Sequence, residues 1–151
     1  MERRLIINLY WLQSAAVRWN GEISRDVKVE KGVRQGCVIS PLLFNLYSEF
    51  MIKEAMEDVE RIGIGGFNIT DLRYADDAVL VADKRKKMQK MIDRLSENCI
   101  EYRMKISVKK DSNDVMNGSG RIKQHVKLNN VPLERVTRFN YLGIWITDKE
   151  R

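Results

Sequence analysis

Two adjacent carboxylates, Asp76 and Asp77, lie inside an otherwise apolar segment with strand character, residues 73–82 (RYADDAVLVA). Ionised side chains in an apolar setting must be solvated, paired or bound to a metal ion, because burying an unpaired charge is costly. The first question that this sequence raises is therefore which of the three conditions applies to the aspartates.

Two interpretations of this pair are open. Aspartates held by rigid apolar strands supply the hard oxygen ligands that Mg²⁺ prefers, as in a two-metal phosphoryl-transfer site. Aspartate is also common in turns, where both side chains simply face water. On the dipeptide alone the polar turn is the better interpretation, so the surrounding sequence has to decide.

The elements ahead of the pair are predicted as a helix, a hairpin, a loop and a second helix. Apolar side chains at helical spacing predict a helix over residues 5–17, and the Asn-Gly pair at 20–21 is a strong hairpin signal. A polar loop containing glycines then leads to Ser40 as N-cap and Pro41 at the first helical position. We expect this second helix to cover residues 41–60.

The aspartates themselves are predicted at the bend of a short hairpin, because extended apolar residues precede and follow them. Beyond them, a basic run opens a helix over 85–102 whose stripe from Met88 to Cys99 is typical of a core face. The remaining predictions are a strand at 105–110, a linker at 111–120, a hairpin at 126–133 around two asparagines, and an aromatic strand at 139–146.

The charge balance and the cysteines indicate which partners and which compartment the protein has. The 151 residues carry 27 Lys+Arg against 21 Asp+Glu, a formal charge of +6, which suits a polyanionic partner such as nucleic acid or an anionic membrane surface. Cys37 and Cys99 lack metal-ligand spacing and are interpreted as reduced thiols of an intracellular protein, nuclear or cytoplasmic. No stretch is long and apolar enough to span a membrane, and no targeting signal is evident.

Four segments together resemble, in order, the palm of reverse transcriptases, and most closely those of non-LTR, LINE-like retrotransposons. The segments are 32–47 (GVRQGCVISPLLFNLY), 74–82 (YADDAVLVA), 105–110 (KISVKK) and 139–143 (FNYLG). The first two are highly specific in combination. The resemblance implies an RNA-directed DNA polymerase that uses Mg²⁺ or Mn²⁺, an RNA template, a DNA primer and deoxynucleotides.

The resemblance also implies roles for individual residues. Asp76 would bind catalytic metal and Asp77 would support the site, while Lys110 would lie near the nucleotide phosphates as a candidate acid for the leaving group. Template and nucleotide contacts are implied for Arg34, Gln35, Gly36, Tyr74 and Ala75. The primer grip is implied for Tyr141, Leu142 and Gly143. For Arg34 and Lys110 a solvated surface charge is the alternative, and for the grip an ordinary core strand.

The sequence departs from this family around Lys110, where Ser107 and Asp111 replace the usual Asn and Thr, and more strongly by an absence. Family members carry a further metal-binding aspartate on a strand upstream, with fingers that hold template and nucleotide, and Asp26 has no matching context. We therefore expect an incomplete palm: an α+β, ferredoxin-like antiparallel sheet with helices on one face over 1–118, and a grip-like hairpin leading to the thumb over 119–151. Alone, such a fragment is expected to be inactive.

Two other functions remain open. A non-catalytic remnant could bind nucleic acid through the basic surface alone. A different palm-like enzyme, such as a nucleotide cyclase, would lack the loop at Arg34, Gln35 and Gly36 before a Ser-Pro helix, which argues against it.

Overall fold

A computed structural model describes residues 2–11, 13–107, 114–115 and 126–147 of the chain. Within these ranges the protein mixes helices with short strands and belongs to the α+β class. The helices are α1 (Glu2–Tyr10), α2 (Ser40–Ala55) and α3 (Arg85–Glu101). The strands are β1 (Ser14–Ala15), β2 (Arg18–Trp19), β3 (Glu22–Ile23), β4 (Val27–Lys28), β5 (Ile62–Ile64), β6 (Phe67–Ile69), β7 (Asp71–Tyr74), β8 (Asp77–Leu80), β9 (Asp114–Val115), β10 (Lys127–Leu128), β11 (Val131–Pro132), β12 (Glu134–Arg135), β13 (Arg138–Tyr141) and β14 (Ile144–Thr147). None of the described helices has the length and hydropathy needed to cross a membrane.

The described strands pair two by two in seven separate ladders, not in one continuous sheet as expected. Six ladders are antiparallel, and β9 pairs with β12 in parallel. Five hairpins close through two-residue turns, and in four of these both turn residues have positive φ, the geometry of a type I′ turn. The hairpins predicted at 20–21 and 129–130 are confirmed.

The first helix is shorter than predicted, because it ends at Tyr10 and not at residue 17. Beyond it Ser14 and Ala15 form β1, which pairs with β4. Gln13 explains the end of the helix. Its side-chain Nε2 donates to the carbonyl oxygen of Leu9 at 2.8 Å, the acceptor that its own backbone N–H would use in a continuing helix.

The second helix also differs from its predicted bounds. Ser40 is its first residue, and the carbonyl of Ile39 accepts the N–H of Leu43, so Ser40 is not the N-cap. Its hydroxyl instead donates to the carbonyl oxygen of Arg34 at 2.5 Å. The helix ends at Ala55 and not at residue 60. Gly65 and Gly66 form the turn between β5 and β6.

The chain divides into two compact units, residues 1–46 and 47–151. In the second unit, α3 presents the predicted apolar stripe, with Met91, Ile92 and Cys99 buried. The core consists of two clusters, whose buried members are Met51, Ile52, Ala55, Met56, Val59, Met91 and Cys99 in one and Ile92, Val126 and Leu128 in the other. Leu80 of β8 packs against both clusters, which attaches the aspartate hairpin to this core.

Side-chain amides and hydroxyls attach α3 to its neighbours. Gln89 binds both backbone groups of Lys127, since its Nε2 donates to the carbonyl at 2.8 Å and its Oε1 accepts the N–H at 2.8 Å. Asn98 donates to the carbonyl of Met51 at 3.2 Å. These bonds fix α3 against α2 and β10 through backbone atoms of the partner.

Two predictions near the end of the chain need correction. Residues 139–146 are not a single strand but a hairpin of β13 and β14, because Leu142 and Gly143 form a turn. Within the predicted strand at 105–110, residues 105–107 are not assigned to a strand. Lys110 and most of the predicted linker at 111–120 lie outside the described residues.

Candidate active site

The paired aspartates lie at the end of a tight hairpin, as the sequence predicted. Ala75 and Asp76 form the two-residue turn between β7 and β8, and Asp77 is the first residue of β8, directly opposite Tyr74. Four of the predicted site residues, 74–77, are therefore consecutive residues at the tip of this hairpin.

The two faces of this hairpin differ: one contacts the hydrophobic core through Leu80, and the other is exposed to solvent at Tyr74 and Asp77. Successive side chains of a strand point to opposite faces, and directly opposed residues share a face. Arg73, Ala78 and Leu80 therefore share one face, on which Leu80 contacts the core. Asp77 lies on the other face with Tyr74, and both are exposed.

The turn itself has an unusual backbone. Ala75 has φ +53°, whereas the next residue has no positive φ. That position normally takes glycine, because a side chain in the left-handed region costs about 1–2 kcal/mol. The backbone is therefore strained beside the two carboxylates.

Arg73 holds the base of the hairpin. Its guanidinium contacts Glu49 of α2 through Nη1 and Asp71 of the same strand through Nε, each at 2.5 Å. The Asp71 side chain is only 8% exposed and also accepts a hydrogen bond from the hydroxyl of Thr70 at 2.7 Å. This third carboxylate of the hairpin is thus already satisfied and is not part of an open metal site.

The side chains of Asp76 and Asp77 differ from that of Asp71 in having no hydrogen bond or ion pair to any described residue. Carboxylate oxygens are the donors that a hard divalent cation prefers, so the chemistry of this pair fits Mg²⁺ or Mn²⁺. Among the described residues no group of three or more Asp, Glu, His or Cys side chains is arranged to hold a metal. Any ion here would take most of its ligands from water or from other molecules.

The loop of Arg34, Gln35 and Gly36 belongs to the first unit and is held by Gln13, which follows α1, and by Ser40. The Nε of Arg34 donates to Oε1 of Gln13 at 2.9 Å, and the Arg34 carbonyl accepts the Ser40 hydroxyl. Gly36 has φ +82°, which the absence of a side chain permits. The exposed Gln35 and Gly36 follow an arginine whose position is fixed.

Cys37 closes this loop beside a tyrosine. The hydroxyl of Tyr10 donates to Sγ of Cys37 at 3.3 Å and lies 3.0 Å from Oγ of Ser40. This hydrogen bond, together with a backbone bond from Ile39, lowers the pKa of the Cys37 thiol to about 7. Burial instead raises the pKa of Cys99 in the core. The Cys37 thiol therefore ionises at lower pH than the Cys99 thiol, a difference that the interpretation of both as reduced thiols did not include.

The predicted primer-grip residues form a hairpin of their own in the second unit. Tyr141 ends β13, and Leu142 and Gly143 form its turn, with φ +52° and +83°. Arg138 stacks on the exposed ring of Trp145, 5.0 Å from its centroid. Left-handed geometry at a leucine is costly, so this turn is a second point of backbone strain.

Sequence reasoning missed the residues that position the others. Gln13 and Tyr10 support the Arg34 loop, and Arg73 anchors the aspartate hairpin, but none of them stands out by type or spacing. A buried glutamine has no sequence signature, and an arginine before a strand end is usually interpreted as a solvated charge. Only the fold places them beside their partners.

Residues 2–146 match the family model described as Reverse transcriptase (RNA-dependent DNA polymerase). The chain belongs to the reverse transcriptase family. The segments that carried the resemblance, including the loop at 32–47 and the hairpin at 74–82, lie within the matched residues.

The relatives of this reverse transcriptase chain are retrotransposon proteins. It is 31% identical over 86 residues, 57% of its length, to the Retrovirus-related Pol polyprotein from type-1 retrotransposable element R2 of Nasonia vitripennis. It is 25% identical over 149 residues, 93% of its length, to the Retrovirus-related Pol polyprotein from type-2 retrotransposable element R2DM of Drosophila melanogaster. The matches cover 8% and 14% of those proteins, so the chain corresponds to a non-LTR, LINE-like reverse transcriptase fragment.

Proposed function

We propose that this chain is the palm segment of a retrotransposon RNA-directed DNA polymerase, and that the β7–β8 hairpin carries its catalytic carboxylates. The observation that supports this most is the exposed pair Asp76 and Asp77, free of partners among the described residues, at the end of a hairpin anchored to the core.

In this proposal Asp76 and Asp77 would hold Mg²⁺ or Mn²⁺. Such an ion supplies charge stabilisation at the transferring phosphoryl group. The chain's own residues orient the reactants: Tyr74 and Ala75 lie beside the primer end, and the primer grip is formed by the turn at Tyr141, Leu142 and Gly143. The domain division at residue 118 and the role of Lys110 remain part of the proposal.

The nucleotide and the templating base are assigned to the loop of Arg34, Gln35 and Gly36. A guanidinium is suited to phosphate oxygens, because its planar donors bind them in pairs. Backbone without side chains at Gly36 allows close approach of a substrate. RNA template, DNA primer and deoxynucleotides are therefore the proposed partners, together with the rest of a polymerase.

We further propose that this segment by itself does not extend a primer. Two carboxylates leave the coordination of two metal ions incomplete, and the 3′ hydroxyl of the primer is then neither activated nor positioned. A longer polymerase that includes an upstream palm strand with its own aspartate would supply the missing ligand.

The test combines activity with metal binding. Primer extension on a primed RNA template is measured for this chain and for a longer version that adds the upstream palm, each with Asp76→Asn. As a matched control, Asp93→Asn replaces an exposed aspartate of α3. We expect synthesis only by the longer version, abolished by Asp76→Asn and retained by Asp93→Asn. Robust synthesis by the short chain would show that it contains a complete site.

Metal binding can be followed in the short chain without activity. Added Mn²⁺ should broaden the NMR signals of residues 74–79, and Asp76→Asn should remove the effect. Broadening centred elsewhere, or unchanged by Asp76→Asn, would contradict the assignment of this hairpin.

A second candidate function is binding of nucleic acid without catalysis. It is favoured by the basic cluster that opens α3, namely Lys84, Arg85, Lys86, Lys87 and Lys90. Binding of this kind weakens steeply with salt, because neutralised phosphates release counterions. Replacing Lys84, Lys86 and Lys90 by Gln should reduce the salt dependence of RNA affinity, and an unchanged slope would assign the cluster to solubility alone.

A further inference from the structure

We infer that Gln13 is a positioning residue for Arg34: it fixes the guanidinium so that the two Nη groups face outward to take a triphosphate. This inference rests on the proposed function of the loop. It adds a residue that lies outside the four segments quoted above for the resemblance, 32–47, 74–82, 105–110 and 139–143, and that makes its contacts within the first unit.

The buried centre of the first unit is polar. Of the described residues in this unit, only Gln13 and Ser40 are buried, at 8% and 5% exposure. Buried polar groups in proteins are nearly always hydrogen-bonded, because leaving one unsatisfied costs about 1–3 kcal/mol. Both of these side chains direct their bonds to Arg34, one to its guanidinium and one to its carbonyl.

Gln13 is itself held at three points. Its Nε2 donates to the carbonyl of Leu9, its Oε1 accepts from Arg34, and its backbone carbonyl accepts the N–H of Val29 at 2.8 Å. The side-chain oxygen is therefore fixed in direction by the helix end and by the strand region that follows β4. An acceptor fixed in this way can set the orientation of the donor that it binds.

The hydrogen bond between Gln13 and Arg34 uses the Nε of the guanidinium and leaves its two terminal nitrogens available for a ligand. Nε is taken by Gln13, whereas the terminal nitrogens have no hydrogen bond or ion pair to any described residue. The side chain is exposed. A guanidinium held at Nε loses little further freedom when its terminal nitrogens bind two phosphate oxygens, so part of the ordering cost is met before the ligand arrives.

The experiment measures binding of inorganic tripolyphosphate and of dATP to the chain at low ionic strength, where exposed charges are least screened. The variants are Arg34→Gln, Gln13→Met and the double variant, with Arg25→Gln as a matched control, since Arg25 is an exposed arginine of the same unit. We expect each single variant to weaken binding by about fivefold, as for loss of one charge-assisted contact at an exposed site. The double variant should be no weaker than Arg34→Gln alone, because both act through one group.

A second measurement reports the contact itself. The Nε–Hε NMR signal of Arg34 should exchange slowly with water in the native chain and rapidly in Gln13→Met. In Gln13→Glu it should exchange more slowly than in Gln13→Met, because a carboxylate oxygen can accept the same hydrogen although the bond to the Leu9 carbonyl is lost. The far-UV spectrum and thermal transition of each variant establish that the comparison is made between folded chains.

The possible results distinguish the positioning role of Gln13 from the nucleotide-binding role of the Arg34 loop. If Arg34→Gln weakens binding and Gln13→Met does not, or if their effects add, the inference is wrong and the proposed role of the loop stands. If Arg34→Gln has no effect, the nucleotide assignment of the loop is wrong, and the inference falls with it. Fast Nε–Hε exchange in the native chain also overturns the inference.

Discussion

Because the turn beside the aspartates is strained, we expect replacement by glycine to have opposite effects on stability at two nearby alanines, Ala75 and Ala78. Ala75 has φ +53°, where an L-residue pays about 1–2 kcal/mol that glycine does not. Glycine in turn loses more chain entropy on folding, about 0.5–1 kcal/mol. The difference predicts that Ala75→Gly raises the free energy of unfolding by about 0.5–1 kcal/mol, or roughly 1–4 °C in Tm for a chain of this size.

Ala78 provides the control, because it lies in β8 of the same hairpin, is exposed, and has no positive φ. Ala78→Gly should therefore lower stability by about 0.5–1 kcal/mol through the entropic effect alone. Ala75→Val should lower the free energy of unfolding by more than Ala78→Gly does, since a β-branched side chain is least tolerated in the left-handed region. Urea unfolding followed by circular dichroism measures all three. Equal destabilisation by Ala75→Gly and Ala78→Gly would refute the left-handed geometry and the strain inferred from it.

Three further predictions concern the core, the loop and the hairpin anchor. Met91→Ala, at a side chain that is 0% exposed, should destabilise the chain by about 2–5 kcal/mol in urea unfolding, whereas a replacement by Leu should cost less than about 1.5 kcal/mol. Alkylation of Cys37 by iodoacetamide should reach half its maximal rate near its pKa of about 7 and require higher pH in Tyr10→Phe, while the thiol of the other cysteine, whose pKa burial raises, stays slow. Arg73→Gln should cost about 1–3 kcal/mol, because it leaves the shielded Asp71 without its cation, and Asp71→Asn in the same chain should recover part of that loss in the same assay.

Local patterns predicted the elements whose residues have strong intrinsic preferences. Helix α3 was predicted within a residue at each end, because its apolar stripe has clear helical spacing and a basic run marks its start. The two turns with asparagine at 20 and 129 were also predicted, since asparagine tolerates positive φ. The aspartate hairpin followed from apolar segments on both sides of a polar pair.

The errors arose where a particular hydrogen bond, turn or packing contact decides the structure, and residue type and spacing do not. Residues 5–17 have a helical pattern, but the side chain of Gln13 takes the acceptor that would continue the helix. Leu142 is not a turn residue by type, so the hairpin at 138–147 was predicted as one strand. The end of α2 at Ala55 and the separate pairing of the strands likewise depend on tertiary packing, which no single-sequence pattern reports.

The candidate site was predictable only in part, and for the same reason. The chemistry of Asp76 and Asp77 can be inferred from residue type, since carboxylates are costly in an apolar segment unless something uses them. The residues that position a site are recognised by what they touch, as Gln13 touches Arg34. Sequence therefore indicates which atoms could react, whereas the structure shows which side chains hold them.

The hydrogen bonds from Gln89 and Asn98 that attach α3 to its neighbours constrain sequence change unequally at the two ends of each bond. Gln89 binds the peptide groups of Lys127, and Asn98 binds the carbonyl of Met51, so neither contact depends on the side chain of its partner. A mutation at position 127 to any residue except proline preserves both bonds of Gln89. Position 127, which is exposed, is thus free to vary while Gln89 is constrained, whereas Met51 is also constrained by its burial in the core. A bond to the backbone of an exposed residue is a physical route by which the arrangement of elements survives a change of sequence.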